Sequence, residues 1–426
     1  MEKKRLSNFL KTLGPGLLFA STAIGVSHLV QSTQAGAKFG FALIPIILAV
    51  NLFKYPFFEY GSRYANSTGV SIIDGYHRIG KWMLWLYFII TIGSMFFVCG
   101  AVGAVTSGFL QNLFGISSWG IWATVCLFIV CMSILIVGKF KVLDSLVKVI
   151  GAVLVLSTLL AFVLALFKGA KPPIEGFVAP SFWEDKSIWF IIALMGWMPT
   201  AVDLSAWTSL WTVARIKQTG YKPTMKETLG DFNFGYIISA LLAICFVTLG
   251  AYVLFGSGLT LPKGSADFAH SVVGMFTDFI GQWSYILIAA AAFSIMFGTC
   301  ITVFDGYSRS IERTSRLLFF KEKKSVDSSK IYRIALLIVG LGSFAIVYFL
   351  GGHMAFLVDL AMTISFLIAP VIAIVNFRLV TGKYLRKEDQ PKLWLKILSW
   401  GGIVFLTGFA VYYLVIVYAS FATAAV

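Results

Sequence analysis

The stretch Leu13–Phe41, LGPGLLFASTAIGVSHLVQSTQAGAKFGF, is long and apolar enough to enter a lipid bilayer. The small polar run Gly25–His28 interrupts it near its middle. A second apolar stretch, Ile188–Trp211, is interrupted in the same way at Met198–Ala201, and Asp203 follows just beyond. The free N–H and C=O groups of a broken transmembrane helix need a ligand, an ion or water as partners. Two such segments therefore predict a solute site of the kind found in membrane transporters.

The composition is that of an integral membrane protein. Hydrophobic residues make up 58% of the 426 residues and charged residues 12%, whereas about 25% of residues are charged in a soluble domain. The net charge of +15 does not predict a nucleic-acid partner, because the positive residues cluster between apolar segments, where they orient a membrane protein. The expected partners are the lipid bilayer and a transported ion or small solute. No oligomeric state is predicted.

Other classes of protein lack support in the sequence. The five cysteines lie in apolar segments without a C-x-x-C pair, which predicts buried free thiols and neither a zinc site nor a disulfide framework. The chain shows no nucleotide-binding glycine motif, nucleophile–base arrangement or zinc-protease signature. We therefore expect neither an enzyme nor an ATP-driven pump, and we predict no cofactor.

Eleven stretches reach the length of about 20 apolar residues that a transmembrane helix needs. They cover residues 14–34, 40–60, 83–112, 119–138, 145–167, 187–211, 232–256, 280–305, 331–350, 355–378 and 395–420. Lys and Arg are concentrated in alternate connections, which predicts a cytoplasmic N-terminus and an extracytoplasmic C-terminus in the cytoplasmic membrane. The basic segment Tyr307–Lys324 is consistent with either an amphipathic helix on the membrane surface or an ordinary loop.

These patterns predict an all-α membrane protein with about 11 transmembrane helices. Spans 1 and 6 are both broken and each begins a group of five, as in an inverted repeat of 5+5 helices, with span 11 as an addition. We expect one transmembrane domain over residues 1–426, with the first repeat in 1–170, the second in 185–380 and the additional helix in 394–420.

The candidate site residues lie at the two breaks. His28 is either a satisfied core histidine or an ionisable group that faces a central cavity. Asp203 can be a cation ligand, a proton carrier or the N-cap of the second half of span 6. The predicted solute-binding residues are Gly25, Ser27, His28, Met195, Met198, Thr200 and Asp203. Met198, His28 and Asp203 are the candidate metal ligands, since a thioether and an imidazole suit transition metals.

Charged residues elsewhere favour structural interpretations. Glu59 and Arg63 have the i,i+4 spacing of a helical ion pair. Asp305 with Arg309 predicts a helix end with a local ion pair, and Asp359 either faces an outer vestibule or caps a helix. Span 3 contains no acidic residue, so a proton relay through it is not expected.

The frame of the opening stretch resembles span 1 of the Nramp transporters, LGPG…IDPGN…QAGAxFG. Leu13–Gly16 and Gln34–Gly40 match its two ends. Ala193–Thr208 looks like their span 6, with Met198-Pro199 matching the MP of MPHN, and Lys141–Lys148 resembles their link into span 5. The resemblance extends over spans 1 to 10. It implies a LeuT-like fold, alternating access and, as the activity of the family, symport of divalent metal ions.

The residues that bind metal in that family are replaced in this chain. DPGN falls on Gly25–His28, so that its Asp becomes Gly25 and its Asn becomes His28. In MPHN the His becomes Thr200, and the second histidine of span 6 falls at Ser205. Two functions stay open: transport of a divalent cation with altered selectivity, which the family favours, or transport of a non-metal solute such as an organic anion or an amino acid.

Overall fold

The computed structural model describes residues 12–258, 262, 264–320, 327–350 and 353–424. Their regular secondary structure is helical throughout. The helices are α1 Pro15–Ala23, α2 Thr33–Phe39, α3 Ile44–Thr68, α4 Ile72–Ile79, α5 Lys81–Phe114, α6 Ile121–Lys168, α7 Asp185–Trp197, α8 Leu204–Thr219, α9 Met225–Leu254, α10 Ser265–Ile280, α11 Tyr285–Leu318, α12 Ser328–Leu350, α13 Met354–Thr381 and α14 Leu393–Ala424. A π-helical segment, Val26–Ser32, joins α1 to α2. The predicted all-α class is confirmed.

Several helices are able to cross a membrane. Six segments of the described residues are long and apolar enough to span a bilayer: Lys81–Phe114, Met225–Leu254, Gln282–Leu318, Ser328–Leu350, Met354–Thr381 and Leu393–Tyr418. The shorter apolar helices Ile121–Val137, Thr158–Lys168 and Ser187–Trp197 correspond to parts of predicted spans 4, 5 and 6. Span 1 is divided between α1 and α2, and span 6 between α7 and α8.

Predicted spans 4 and 5 form one helical run, α6, of 48 residues, without the loop that the sequence suggested. A straight helix of that length would extend about 72 Å. However, Ile121 and Thr124 line one cavity with α10, and Thr158 and Ala161 line another with the same helix. Because α10 has 16 residues and is about 24 Å long, the run has to double back. The run therefore bends sharply between Thr124 and Thr158, so that its two ends line cavities with the same helix.

The basic segment Tyr307–Lys324 was expected to be an amphipathic surface helix or an ordinary loop, and its described part is neither. Helix α11 continues to Leu318, so Tyr307–Leu318 is neither a separate surface helix nor a loop; residues 321–324 lie outside the described part. The helix continues because its charges are paired inside the protein. Arg309 Nε bonds Asp305 Oδ2 at 2.7 Å, which confirms that predicted pair, and Arg313 bonds Asp74. The Glu59–Arg63 pair is also confirmed, with Arg63 Nε 2.9 Å from Glu59 Oε2.

The first half of span 1 is fixed to α9 through the LGPG motif. The carboxylate of Asp231 accepts hydrogen bonds from the N–H of Gly14 at 3.2 Å and of Gly16 at 2.7 Å. These bonds satisfy donors that a helix N-terminus leaves unpaired. A Cβ on Gly16 would lie 2.0 Å from the backbone oxygen of Asp231, so only glycine permits this approach.

The second half of span 1 packs on α9 in the same way. A Cβ on Gly36 would lie 2.0 Å from the oxygen of Val247, and one on Gly250 would lie 2.1 Å from the oxygen of Thr33. Small residues at such crossings let two membrane helices approach to backbone contact. Helix α9 thus holds span 1 at both ends and leaves its middle to form the site.

Candidate solute site

The break in span 1 lies at Ile24 and Gly25, which leave helical conformation between α1 and the π-helical segment. Thr299 of α11 fills the break. Its hydroxyl bonds the carbonyl oxygen of Ser21 at 2.8 Å and lies 3.3 Å from that of Ile24. A Cβ on Gly25 would lie 2.4 Å from Thr299 Oγ1. Gly25, predicted to bind solute, therefore serves close packing against α11 and does not line the cavity between the two breaks.

The break in span 6 lies between Trp197, the last residue of α7, and Leu204, the first of α8. The side chain of Lys54, on α3, reaches it. The Lys54 ammonium donates to the carbonyl oxygens of Met195 at 2.5 Å, Gly196 at 2.8 Å and Thr200 at 3.3 Å. Lys54 is fully buried. Carbonyls of the last turn of α7 and of the unwound segment are thus satisfied by a side chain of the protein.

A cavity of about 30 Å³ lies between the two breaks. That volume has room for about two water molecules. Val98 and Val102 of α5 and Val303 of α11 contribute to its apolar wall. Its polar and aromatic lining includes Ser27, Trp197, Thr200, Asp203, Trp207 and Tyr307.

Asp203 supplies a carboxylate to this cavity. It occupies the N-cap position of α8, but its side chain makes no capping hydrogen bond. It is 9% exposed and is the acidic group that acts electrostatically on Lys54. The sequence left three roles open for Asp203: cation ligand, proton carrier or N-cap. The N-cap role is not supported, because the capping hydrogen bond is missing. The carboxylate lies where a solute would meet it.

His28 does not line the cavity. Its Nε2 lies 2.9 Å from the carbonyl oxygen of Ser239 on α9, and its Nδ1 lies 2.8 Å from the hydroxyl of Ser27. A carbonyl can only accept, so Nε2 carries the proton and Nδ1 is an acceptor in the neutral ring. Ser27 has one hydroxyl proton, for which Nδ1 competes with the carbonyl oxygen of Ala23 at 2.7 Å. Both ring nitrogens nevertheless lie at hydrogen-bond distance from protein atoms, which agrees with a satisfied core histidine.

The predicted metal ligands are not brought together. Asp203 lines the cavity, whereas His28 faces α9 and the fully buried Met198 does not contribute to the lining. Met195 takes part through its backbone carbonyl. The described ranges contain no group of three or more His, Cys, Asp and Glu residues that could hold a metal ion. Of the seven predicted site residues, Ser27, Thr200 and Asp203 line the cavity.

Aromatic side chains that sequence analysis missed form much of the wall. The rings of Trp207 and Tyr307 meet edge to face with centroids 4.7 Å apart. Trp207 is 2% exposed, and its indole Nε1 has no hydrogen-bond partner in the part of the chain that the structure describes. A buried N–H without a partner costs free energy. It therefore marks a place where a ligand can contribute an acceptor.

One signal in the sequence could have indicated Lys54. It is a lysine within the apolar stretch 40–60, and an ionisable residue at membrane depth is a functional candidate by default. Trp207 and Tyr307 gave no such signal, because aromatic residues are common throughout this chain.

A polar contact beside the site joins span 1 to span 10. The side-chain amide of Gln31 donates to Asp359 Oδ1 at 3.0 Å. The Lys38 ammonium lies 4.3 Å from the ring centroid of Phe190 on α7. Asp359 therefore bonds another span and does not cap its own helix.

The chain matches a known protein family over nearly its whole length. A family model described as Nramp, natural resistance-associated macrophage protein-like, matches residues 16–416. The chain belongs to the Nramp family. This Nramp protein is accordingly a multi-pass membrane transporter and not an enzyme.

Relatives and solved structures agree with this assignment. The chain is 35% identical to "Uncharacterized protein PM0681" of Pasteurella multocida over 97% of this chain and 94% of that one. It is 23% identical to "Metal transporter Nramp6" of Arabidopsis thaliana over 68% of this chain and 56% of that one.

The solved structures support the fold. A manganese transporter of Eremococcus coleocola superposes with a TM-score of 0.70 at 14% identity, over 95% of this chain and 86% of that chain. The transporter MhsT, in complex with L-phenylalanine, superposes with a TM-score of 0.62 at 11% identity, over 93% of this chain and 98% of that chain. The LeuT-like fold that the resemblance implied is confirmed.

Proposed function

We propose that this Nramp protein transports a small organic solute of the amino-acid class by alternating access. The observation that carries the proposal concerns Trp207, a residue of the cavity lining whose buried indole N–H has no partner among the described residues. An indole N–H can only donate a hydrogen bond. A carboxylate or carbonyl oxygen of an organic solute can accept that bond, whereas a metal cation cannot.

The other polar group of the cavity has the opposite character. The carboxylate of Asp203 is an acceptor, so it suits an ammonium or an amide N–H of the same solute. The aromatic faces of Trp197 and Tyr307 can cover the remaining apolar or cationic part. The donor of Trp207 and the acceptor of Asp203 together favour a solute that carries both an amine or amide and an oxygen acceptor.

The charge of Lys54 argues against a bare divalent cation. Two unit charges 4 Å apart interact by about 4 kcal/mol at an effective dielectric constant of 20. The repulsion between a divalent ion and one ammonium also reaches about 4 kcal/mol when they are about 8 Å apart. Asp203 supplies a single negative charge, and dehydrating a divalent ion calls for several oxygen ligands with compensating charge. A net-neutral solute meets no such penalty beside the Lys54–Asp203 pair.

The small volume of the cavity requires movement during transport. About 30 Å³ is too little for a solute larger than about two waters, so α1 and α8 have to separate for the solute to enter. The breaks at Gly25 and Met198 are places where backbone angles can change without breaking helical hydrogen bonds. The proposal includes a location in the cytoplasmic membrane, with the N-terminus in the cytoplasm.

A thermal-shift screen of the purified transporter tests the proposal. The twenty proteinogenic amino acids, acetate and lactate would be compared one by one with MnCl₂ and MgCl₂. We expect at least one organic solute to raise Tm by mass action and the metals to leave it unchanged. A rise with Mn²⁺ and with none of the organic solutes would overturn the proposal.

Replacing Trp207 by Phe should weaken binding of the stabilising amino acid by about 2- to 12-fold, the equivalent of one neutral hydrogen bond of about 0.5–1.5 kcal/mol. The variant keeps an aromatic ring but removes the N–H. Binding is measured by titration with the amino acid found in the screen. Trp82→Phe, at an exposed position on α5, is the control and should not change affinity. Equal affinities of the wild type and Trp207→Phe would show that the indole N–H of Trp207 does not bond the solute.

A second candidate function is transport of a divalent cation. It is favoured by the carboxylate of Asp203 in the cavity and by the printed names of two relatives, "Metal transporter Nramp6" and "Iron transporter SMF3" of Saccharomyces cerevisiae. Under this function Trp207→Phe should leave metal uptake unchanged, because the indole N–H cannot be a metal ligand. The screen and the variant therefore separate the two candidates.

A further inference from the structure

The Lys54 side chain occupies a set of ligands that suits a monovalent cation. Three backbone carbonyl oxygens, of Met195, Gly196 and Thr200, converge on its ammonium at 2.5, 2.8 and 3.3 Å. Rings of backbone carbonyls replace the hydration shell of alkali-metal ions in selective sites. In transporters with broken helices, the carbonyl end of a half-helix serves the same purpose.

The electrostatics of the break call for a positive charge at this point. Met195 and Gly196 lie in the last turn of α7, where carbonyls lack intrahelical partners and the helix dipole is negative. The carbonyl of Thr200 comes from the unwound segment. Carbonyls with no partner at membrane depth would each cost several kcal/mol, so the broken helix is stable only with a cation or a donor there.

The ammonium satisfies this requirement completely. An ammonium has three N–H donors, and the three carbonyls use all of them. Lys54 is fully buried, and burial of an unpaired charge would be strongly unfavourable. Asp203, the acidic residue that acts electrostatically on Lys54, lines the cavity. Lys54 thus has no donor left over for a transported solute while these bonds persist.

We propose that the carbonyls of Met195, Gly196 and Thr200 form a monovalent-cation site and that Lys54 fills it with a tethered ammonium. The transporter then needs no bound alkali-metal ion at the break of span 6. The positive charge is covalently fixed to α3, so it stabilises the broken helix at any salt concentration. This inference does not depend on the identity of the transported solute.

The test is to remove the ammonium and offer free cations. Lys54→Ala would be purified and unfolded in NaCl, KCl, methylammonium chloride and choline chloride at equal ionic strength. We expect one of the three small cations to raise Tm of the variant by about 2–4 °C or more relative to choline, with saturation. The wild type should have one Tm in all four salts. Lys81→Ala, which removes an exposed lysine at the start of α5, should behave like the wild type.

Several results would overturn the proposal. One is an equal Tm of Lys54→Ala in all four salts; another is the same cation dependence in the wild type. Lys54→Met, which keeps most of the side-chain volume, replaces the alanine variant if that variant does not fold. Should neither variant fold in any of the salts, free cations have failed to substitute for the ammonium and the proposal is wrong. No organic solute is added, so the outcome is separate from that of the solute screen.

Discussion

Asp203→Asn is expected to lower solute uptake into proteoliposomes by about 10- to 150-fold, corresponding to a charged hydrogen bond of about 1.5–3 kcal/mol. The substitution keeps the size of the side chain and removes its charge. Asp203 supplies the carboxylate of the cavity lining. Its loss would also remove the negative charge that acts on the ammonium of Lys54, which makes a net-neutral site positive.

The measurement is the initial rate of uptake of the amino acid identified in the screen, with KM determined separately. Glu388→Gln is the matched control, because it removes a carboxylate that is 68% exposed in the connection between α13 and α14. Surface ion pairs contribute little, so this control should transport normally. Wild-type KM and rate in Asp203→Asn would show that the carboxylate does not contact the solute.

Gly250→Val is expected to lower the stability of the transporter by about 3 kcal/mol, the upper part of the usual range for overpacking. A Cβ at this position would lie 2.1 Å from the backbone oxygen of Thr33. Because the obstructing atom belongs to the backbone, α2 has to move away from α9. The second half of span 1 would then be displaced relative to the site.

Thermal unfolding in detergent checks this expectation, with Tm falling by several degrees. Gly408→Val on α14 makes the same chemical change where a Cβ would meet no atom within 4 Å, and its Tm should stay close to that of the wild type. Equal unfolding temperatures for the two variants would mean that the contact between α2 and α9 is not tight.

The all-α class and the broken spans were predictable from the sequence because an apolar run of membrane length is a local signal, whereas the LeuT-like fold was implied by the family resemblance. Apolar length identified the spans, and the breaks at Gly25 and Met198 were recognisable as interruptions of apolar runs. The continuity of α6 was not predictable, since lysines such as Lys139 and Lys141 are typical of a loop between spans. The extension of α11 depends on the pairing of Arg313 with Asp74, which is distant in sequence.

The site was predicted less well because it depends on where side chains point after packing. Ser27, Thr200 and Asp203, which were predicted from their position at the breaks, line the cavity. His28 was included for its chemistry, yet its partner Ser239 lies on another helix. Lys54 was overlooked because it lies on a span without a break, although a charge at membrane depth was the available signal.

The attachment of span 1 to α9 has a consequence for the response to membrane voltage. Between Asp231 and Gly250, α9 extends about 28 Å at 1.5 Å per residue, close to the thickness of the hydrocarbon layer. Ser239, which contacts His28 just after the break, lies near the middle of that length. With this part of α9 spanning the hydrocarbon layer, a solute in the cavity would have crossed about half of the electric field. Each elementary charge it carries responds to about 2.3 kcal/mol per 100 mV over the whole path. A zwitterion contributes nothing to this voltage dependence, whereas a divalent cation contributes twice that amount.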